Sequence, residues 1–169
     1  MSAADIGTAP VAFGPLGPEH AGEALTVQRA AYVTEAQRYA APGIPPLRET
    51  LDELRADLAR AGGPDLVAVG AWWGVRLVGS VRGRVDGDVM EVVRFSVAPD
   101  VQGRGIGRRL LAAVHTAAPP AVTRFSLVTG SRSPENLRLY GAAGYRVCGR
   151  TVDDAGVELV RMERARFLS

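Results

Sequence analysis

The stretch VAPDVQGRGIGRRLL, residues 97–111, decides how this chain is read. An apolar run ends, Gly103, Gly105 and Gly107 follow at alternate positions, and a leucine-bearing helical pattern begins. Glycine is costly at a helix start, because it loses more backbone entropy on folding than alanine does. The pattern therefore predicts a need for bare backbone. The first turn of a helix carries unpaired N–H donors and the positive end of the peptide dipole, and an anion that meets no Cβ can approach them. This is a phosphate site. A P-loop would need Gly-Lys-Ser/Thr, and the chain has no Lys. A dinucleotide fingerprint would need G-x-G-x-x-G, but the third glycine comes one residue early and Arg108 stands in its place.

Upstream of the glycines, LVAVGAWW (66–73), RLVGSVRGRV (76–85) and VMEVVRFSV (89–97) read as strands of an antiparallel meander. Asp86-Gly87 marks a tight hairpin between the last two. Trp72 and Trp73 straddle the first strand, so one is expected in the core and the other at a surface. Downstream, Ile106, Leu110, Leu111 and Val114 form the inward face of a helix that Pro119-Pro120 ends. TRFSLVT (123–129) is then a strand joined to 89–97 through that helix, which predicts a parallel pair. Ser133 and Pro134 read as an N-cap and first helical residue before PENLRLYGAA (134–143). YRVCGRTV (145–152) and VELVRMERA (157–165) close the chain as strands.

Before the meander come a short strand, VAFGPL (11–16), and a helical pattern over 17–39. AAPGIPP (40–46) interrupts it, and a second helix over 47–61 carries Leu47, Leu51, Leu54 and Leu58 on one stripe. Residues 1–9 are small and polar and read as a flexible terminus, leaving residues 10–169 as one α/β domain around a mixed sheet.

With 169 residues, 47% apolar and 22% charged, the chain has the composition of a single globular domain. Its one cysteine, Cys148, allows no internal disulfide and is expected to pack as a small apolar residue. No secretory signal and no membrane-length apolar run is visible, so a cytoplasmic protein without membrane attachment is expected. All the basic residues other than histidine are Arg, interleaved with Asp and Glu and not gathered in runs, which argues against nucleic-acid binding. His20 and His115 lack metal-ligand spacing, and no metal is expected.

The segment RFSVAPDV followed by Gln102-Gly103-Arg104-Gly105-Ile106-Gly107 resembles the acyl-CoA pyrophosphate motif of the GNAT superfamily of N-acetyltransferases. NLRLYGAAGYRV (136–147) resembles the later motif of the same family, in which L-Y-x-x-x-G-F/Y ends a helix and opens a strand. The resemblance covers nearly everything from residue 65 onward. It implies the GNAT fold, a mixed and mostly antiparallel central sheet of about seven strands flanked by about four helices. It also implies transfer of an acetyl group from acetyl-CoA, as cosubstrate, to a primary amine of a small molecule or peptide. A catalytically silent acyl-CoA-binding module of the same fold is the alternative. A homodimer is an expectation by likeness.

By the same resemblance, the N–H groups of Gly103, Arg104, Gly105, Ile106, Gly107 and Arg108, with Gln102 before them, hold the cofactor phosphates. The arginines at 104, 108 and 109 can add charge. The main chain of Phe95, Ser96 and Val97 lies along the pantetheine arm, with the Val97 N–H polarising the thioester carbonyl. Tyr140 supplies the general acid at the cofactor sulfur. Many relatives carry an Asn about seven residues before that Tyr. Here Ser133 has that place and Asn136 lies four before, so either can meet the cofactor. Glu91, on the meander strand, is the candidate base, with a water chain as the other route; strict alternation puts it on one face with Val93, Phe95 and Val97. An alkylammonium releases its proton near a pKa of about 10.4, so a neutral-pH reaction gains from an acceptor. Tyr32, Glu35 and Tyr39 are candidate walls of the acceptor site, Glu35 as an attractor of cations.

Overall fold

The computed structural model describes residues 10–167. The terminus expected to be loose, residues 1–9, lies outside them. Seven strands, β1 (Val11–Pro15), β2 (Leu66–Trp73), β3 (Arg76–Asp86), β4 (Val89–Val97), β5 (Arg124–Gly130), β6 (Arg146–Val152) and β7 (Glu158–Ala165), form one sheet in the order β1-β2-β3-β4-β5-β7-β6. The α-helices among the described residues are α1 (Ala21–Arg38), the four-residue α2 (Pro45–Arg48), α3 (Leu51–Arg60), α4 (Ile106–Ala117) and α5 (Pro134–Ala142). The mixed, mostly antiparallel seven-stranded sheet expected from the two motifs is observed, with five α-helices among the described residues where about four were expected.

The sheet is antiparallel everywhere except at β4–β5, which the α4 crossover makes parallel. That pair is short. Only Val89, Met90 and Glu91 meet Arg124, Phe125 and Ser126, and beyond them the two strands part into a wedge. β5 remains fully paired with β7 along its length, so β4 and β5 belong to two arms of the sheet joined at one end.

One main core holds the arms together, from Leu54 and Leu58 of α3 through Val78, Val81 and Met90 to Leu110, Leu111 and Val114 of α4. The inward face expected for α4 is the buried one. The second helical pattern is instead broken. Pro45 and Pro46 occupy the first turn of α2, where a missing N–H costs nothing, and Thr50 starts α3 afresh. Thr50 accepts from the Glu53 N–H while the Glu53 carboxylate accepts from the Thr50 N–H, a reciprocal cap. The break splits the leucine stripe, leaving Leu51 exposed while Leu54 and Leu58 stay buried.

Other local expectations are also corrected. Trp72 and Trp73 are both half-buried: Trp72 packs edge-on to His20, and the Arg104 guanidinium lies over Trp73, so neither is left at an open surface. Cys148 is exposed on the edge strand β6 and does not pack as a core residue.

Candidate active site

The glycines account for one wall of the wedge. Gly103 and Gly105 both have φ of 79°, in the left-handed region that disfavours side chains. A Cβ on Gly103 would meet nothing, so the constraint there is backbone conformation, which turns the loop outward. Gly105 sits at the N-cap of α4. Gly107 answers to a different demand: a Cβ there would lie 3.3 Å from the Phe95 ring, and its absence lets α4 approach β4. The unpaired N–H groups of the α4 first turn thus open beside the strand end.

At that end, Ala98 donates to the Val78 carbonyl, and antiparallel alternation then turns the N–H and C=O of Val97 away from β3. The Val97 carbonyl accepts from Gln102 Nε2 at 3.0 Å, which pins the glycine loop to β4. The Val97 N–H is directed to the side where β5 has parted.

A cleft of about 670 Å³ occupies the wedge, lined by β4, the glycine loop, β5, α5 and the α1–α2 segment. Tyr140 is buried in its wall, its ring edge-on to Phe95 and Tyr145 with centroids 6.0 Å away in each case. Its hydroxyl makes no hydrogen bond among the described residues. Burial drives the phenol well above its usual range, so the proton stays on at neutral pH.

Along β4 the register is interrupted. Arg82 faces Val93 and Ser80 faces Ser96, so Arg94 and Phe95 together oppose Val81 in a bulge. Arg94 takes a φ of 53° there. The extra residue reverses the alternation. Glu91 and Val93 lie opposite Arg84 and Arg82 on one face, whereas Val97 opposes Gly79 on the other. Phe95, which touches Gly107 of α4, is on that second face as well. The expected sharing of a face by Glu91 with Phe95 and Val97 is therefore corrected. Glu91 is exposed and lines the cleft from the α1–α3 side.

A buried ionic cluster lies on the same side, and the sequence reading missed it. Arg82, 3% exposed, donates to both oxygens of Glu49 at 2.6 and 2.9 Å, to Asp57 at 2.7 Å and to Gln28 at 3.2 Å. Gln28 in turn donates to Glu49 and to the Pro46 carbonyl. Burial works against the Glu49 charge, but the hydrogen bonds from Arg82 and Gln28 outweigh it and hold the carboxyl below its usual range. The only sign in the sequence was an Arg within an apolar strand; its partners come from α1, α3 and the α2–α3 junction, far away in the chain.

The candidate acceptor residues divide. Tyr32 lines the cleft, and burial pushes its phenol up to about 12. Glu35 and Tyr39 also reach the cleft wall, but both are engaged. Tyr39 Oη accepts from the Arg132 N–H at 2.7 Å and lies 3.0 Å from Ser133 Oγ, which donates to Glu35 at 2.7 Å. Since the single Ser133 proton goes to Glu35, Tyr39 is the donor to Ser133. Glu35 also accepts from Arg38. A Cβ on Gly130 would collide with the Tyr39 hydroxyl, which explains that glycine. The network ties the end of α1 to the start of α5, and Glu35 is committed to it.

Ser133 is fully buried in this tie and does not line the cleft, whereas Asn136 does. Of the two residues read as able to meet the cofactor, only Asn136 faces the cleft. Arg108 lines the cleft. Arg104 instead stacks over Trp73, and Arg109 lies over Phe13 and donates to the Val11 carbonyl, so neither guanidinium lines the cleft. Ser96 is buried and its hydroxyl donates to the Arg94 carbonyl. Ile44, Asp153, Val157 and Leu159 complete the far wall, which no local motif had signalled. No group of metal-binding side chains occurs among the described residues, and none of the described helices is long and apolar enough to cross a membrane.

The fold recurs in known structures. The PaiA N-acetyltransferase of Thermoplasma acidophilum, solved with coenzyme A, matches with a TM-score of 0.76 at 17% identity, covering 93% of this chain and 99% of that one. The ribosomal-protein-S18-alanine N-acetyltransferase of Escherichia coli matches at 0.75 and 14% identity, covering 95% and 96%. The spermidine N-acetyltransferase of Vibrio cholerae, solved with CoA and spermine, matches at 0.71 and 16% identity, covering 92% and 95%. Among curated proteins none matches this sequence significantly. The family model described as an acetyltransferase (GNAT) domain matches residues 47–166, and the chain belongs to that family of acyltransferases.

Proposed function

We propose that the chain transfers an acetyl group from acetyl-CoA directly to a primary amine. The observation that carries the reading is the wedge itself: β4 and β5 part after Glu91–Ser126, and the bare N-terminus of α4 opens into the gap. The residues fit the cosubstrate. N–H groups from Gly103 to Arg108 suit a pyrophosphate, with Arg108 adding charge and Asn136 a polar contact. The outward N–H of Val97 suits a thioester oxygen that gains charge during attack.

In the reaction the amine nitrogen forms a bond to the acetyl carbon and the carbon–sulfur bond breaks. Tyr140, kept protonated by burial, donates to the leaving sulfur. Glu91, exposed in the cleft, takes the proton that the amine gives up, directly or through water. Glu35 and Tyr39 hold α1 against α5 and thereby shape the acceptor wall.

The test is calorimetric titration with acetyl-CoA, with desulfo-CoA and NADH as controls, followed by turnover on a panel of primary amines. Binding of acetyl-CoA with NADH silent, and acetylation of at least one amine, is the expected result. Binding without turnover on any amine would favour an acyl-CoA-binding module, and no binding would remove the reading.

A further inference from the structure

Arg94 is costly where it stands. Its φ of 53° is a strained, left-handed conformation that a long L side chain rarely takes. Its side chain is 21% exposed, and its Nε is fully buried with no hydrogen-bond partner. The nearest carboxylate oxygen, Glu49 Oε1, lies 3.6 Å away and is already occupied by Arg82 and Gln28 at 2.6 and 2.9 Å. Desolvation consequently lowers the guanidinium pKa, offset only in part by Glu49 and Tyr32.

The other charges facing the cleft do not serve Arg94 either. Glu35 is held by Arg38 and Ser133. Asp153 accepts the N–H groups of Ala155 and Val157. Arg84 reaches only Asp57, at 3.7 Å. Glu91 makes no ion pair among the described residues. The α1–α3 side of the cleft thus presents Glu91, without an ion pair among the described residues, and Arg94, whose ion pair there is the 3.6 Å contact to an already shared Glu49 oxygen. The Nε is shut away from the cleft beside Glu49, but the Nη groups make no hydrogen bond among the described residues. A strained residue with open Nη donors in a binding cleft points to a ligand group that completes it.

We propose that Arg94 binds a carboxylate carried by the amine acceptor, so that the preferred substrates hold a primary amine and a carboxylate in one molecule. The proposal rests on the acetyltransferase reading and names its substrate class. The planar fork of Arg suits a carboxylate through paired N–H donors, and the half-buried site strengthens the bond. The bulge is what aims this side chain, since regular pairing would give Arg94 an ordinary strand conformation. A polyamine lacks the group Arg94 would bind and brings extra positive charge beside it.

The experiment compares wild-type protein on L-α-amino acids, their α-amides and spermidine, reading both turnover with acetyl-CoA and calorimetric binding of the amine alone. Loss of one charge-assisted paired contact corresponds to at least about a tenfold preference in kcat/KM for carboxylate over amide. Dipeptides beginning with Asp or Glu, against their Asn and Gln counterparts, distinguish a side-chain carboxylate from a free α-carboxylate. Arg94→Gln is expected to collapse the preference towards unity, and Arg94→Lys to leave an intermediate one, with acetyl-CoA binding retained in both. Equal use of amides, or preference for spermidine, overturns the proposal, and wild-type protein alone decides this if the variants do not fold. If acetyl-CoA neither binds nor reacts, the acetyltransferase reading fails. Arg94 is then judged by the carboxylate-over-amide ratio in direct binding of the amines.

Discussion

The two halves of the cleft are built in different ways. On the side proposed for the cofactor, the groups that face the cleft are main-chain N–H groups from one short segment, Gly103 to Arg108, with Val97 a few residues before. On the acceptor side they are side chains from α1, β3, β4 and the β6–β7 turn, brought together across most of the chain. The first half depends on local conformation and tolerates change in most side chains. The second depends on packing and on a buried charge balance, and small substitutions there propagate. A backbone site is carried by a motif, whereas a side-chain site is carried by a fold.

Substitutions can break that contrast. Gly105→Val is expected to have the largest effect. A β-branched residue at φ 79° is strained and places atoms before the α4 N–H groups, so acetyl-CoA binding is abolished while circular dichroism still shows a folded domain. Normal binding by this variant would mean that the bare backbone is not the anion site. Tyr140→Phe comes next, with kcat lowered about 10²-fold and acetyl-CoA affinity little changed, as for a lost acid group. Unchanged kcat at saturating substrate would remove Tyr140 from the chemistry.

On the acceptor side, Arg82→Ala leaves Glu49 and Asp57 without their main partner and is expected to cost about 3–5 kcal/mol in denaturant unfolding. A loss below about 1 kcal/mol would show that the cluster relaxes or admits water. Glu91→Gln should lower kcat/KM at neutral pH by about tenfold to a hundredfold, with the deficit shrinking at higher pH as the amine loses its proton unaided. A deficit that does not depend on pH would assign Glu91 to binding and not to proton removal.

The smallest effect lies outside the cleft. His115 is stacked on Phe125 and hydrogen-bonded to Tyr145 at 2.6 Å. Burial, with Arg164 and Arg166 nearby, lowers its pKa to about 4. The folded state therefore resists a proton that the unfolded chain accepts near pH 6.5, so stability is full above that value and falls as pH drops towards 4. His115→Gln should show a shallower fall in thermal midpoint over this window than the wild type. Parallel profiles would assign the acid sensitivity to other groups.

Particular elements show how far the linear pattern reached. β4 was legible to its end residues, as were the inward residues of α4 and the parallel pairing of β4 with β5. These follow from hydrophobic period and from a crossover rule. The flipped face beyond Glu91 was not legible, because a one-residue bulge leaves no mark on the apolar pattern. The commitment of Glu35 to Ser133 was hidden for another reason: the two residues lie 98 positions apart and meet only after α1 packs beside the β5–α5 turn.

By itself, then, the sequence determined what depends on neighbours along the chain: the elements, the family motif and the glycine turn into α4, since helix starts, glycine conformations and strand alternation are short-range effects. Tertiary structure alone decided which charges are spent on one another and which are left largely unpaired. Arg82, Arg84 and Arg94 look alike in the chain, yet one is buried and fully paired, one is largely in solvent, and one is held strained with an unused donor. Coulomb and hydrogen-bond partners are set by distance in space, and that distance exists only once the arms of the sheet have come together.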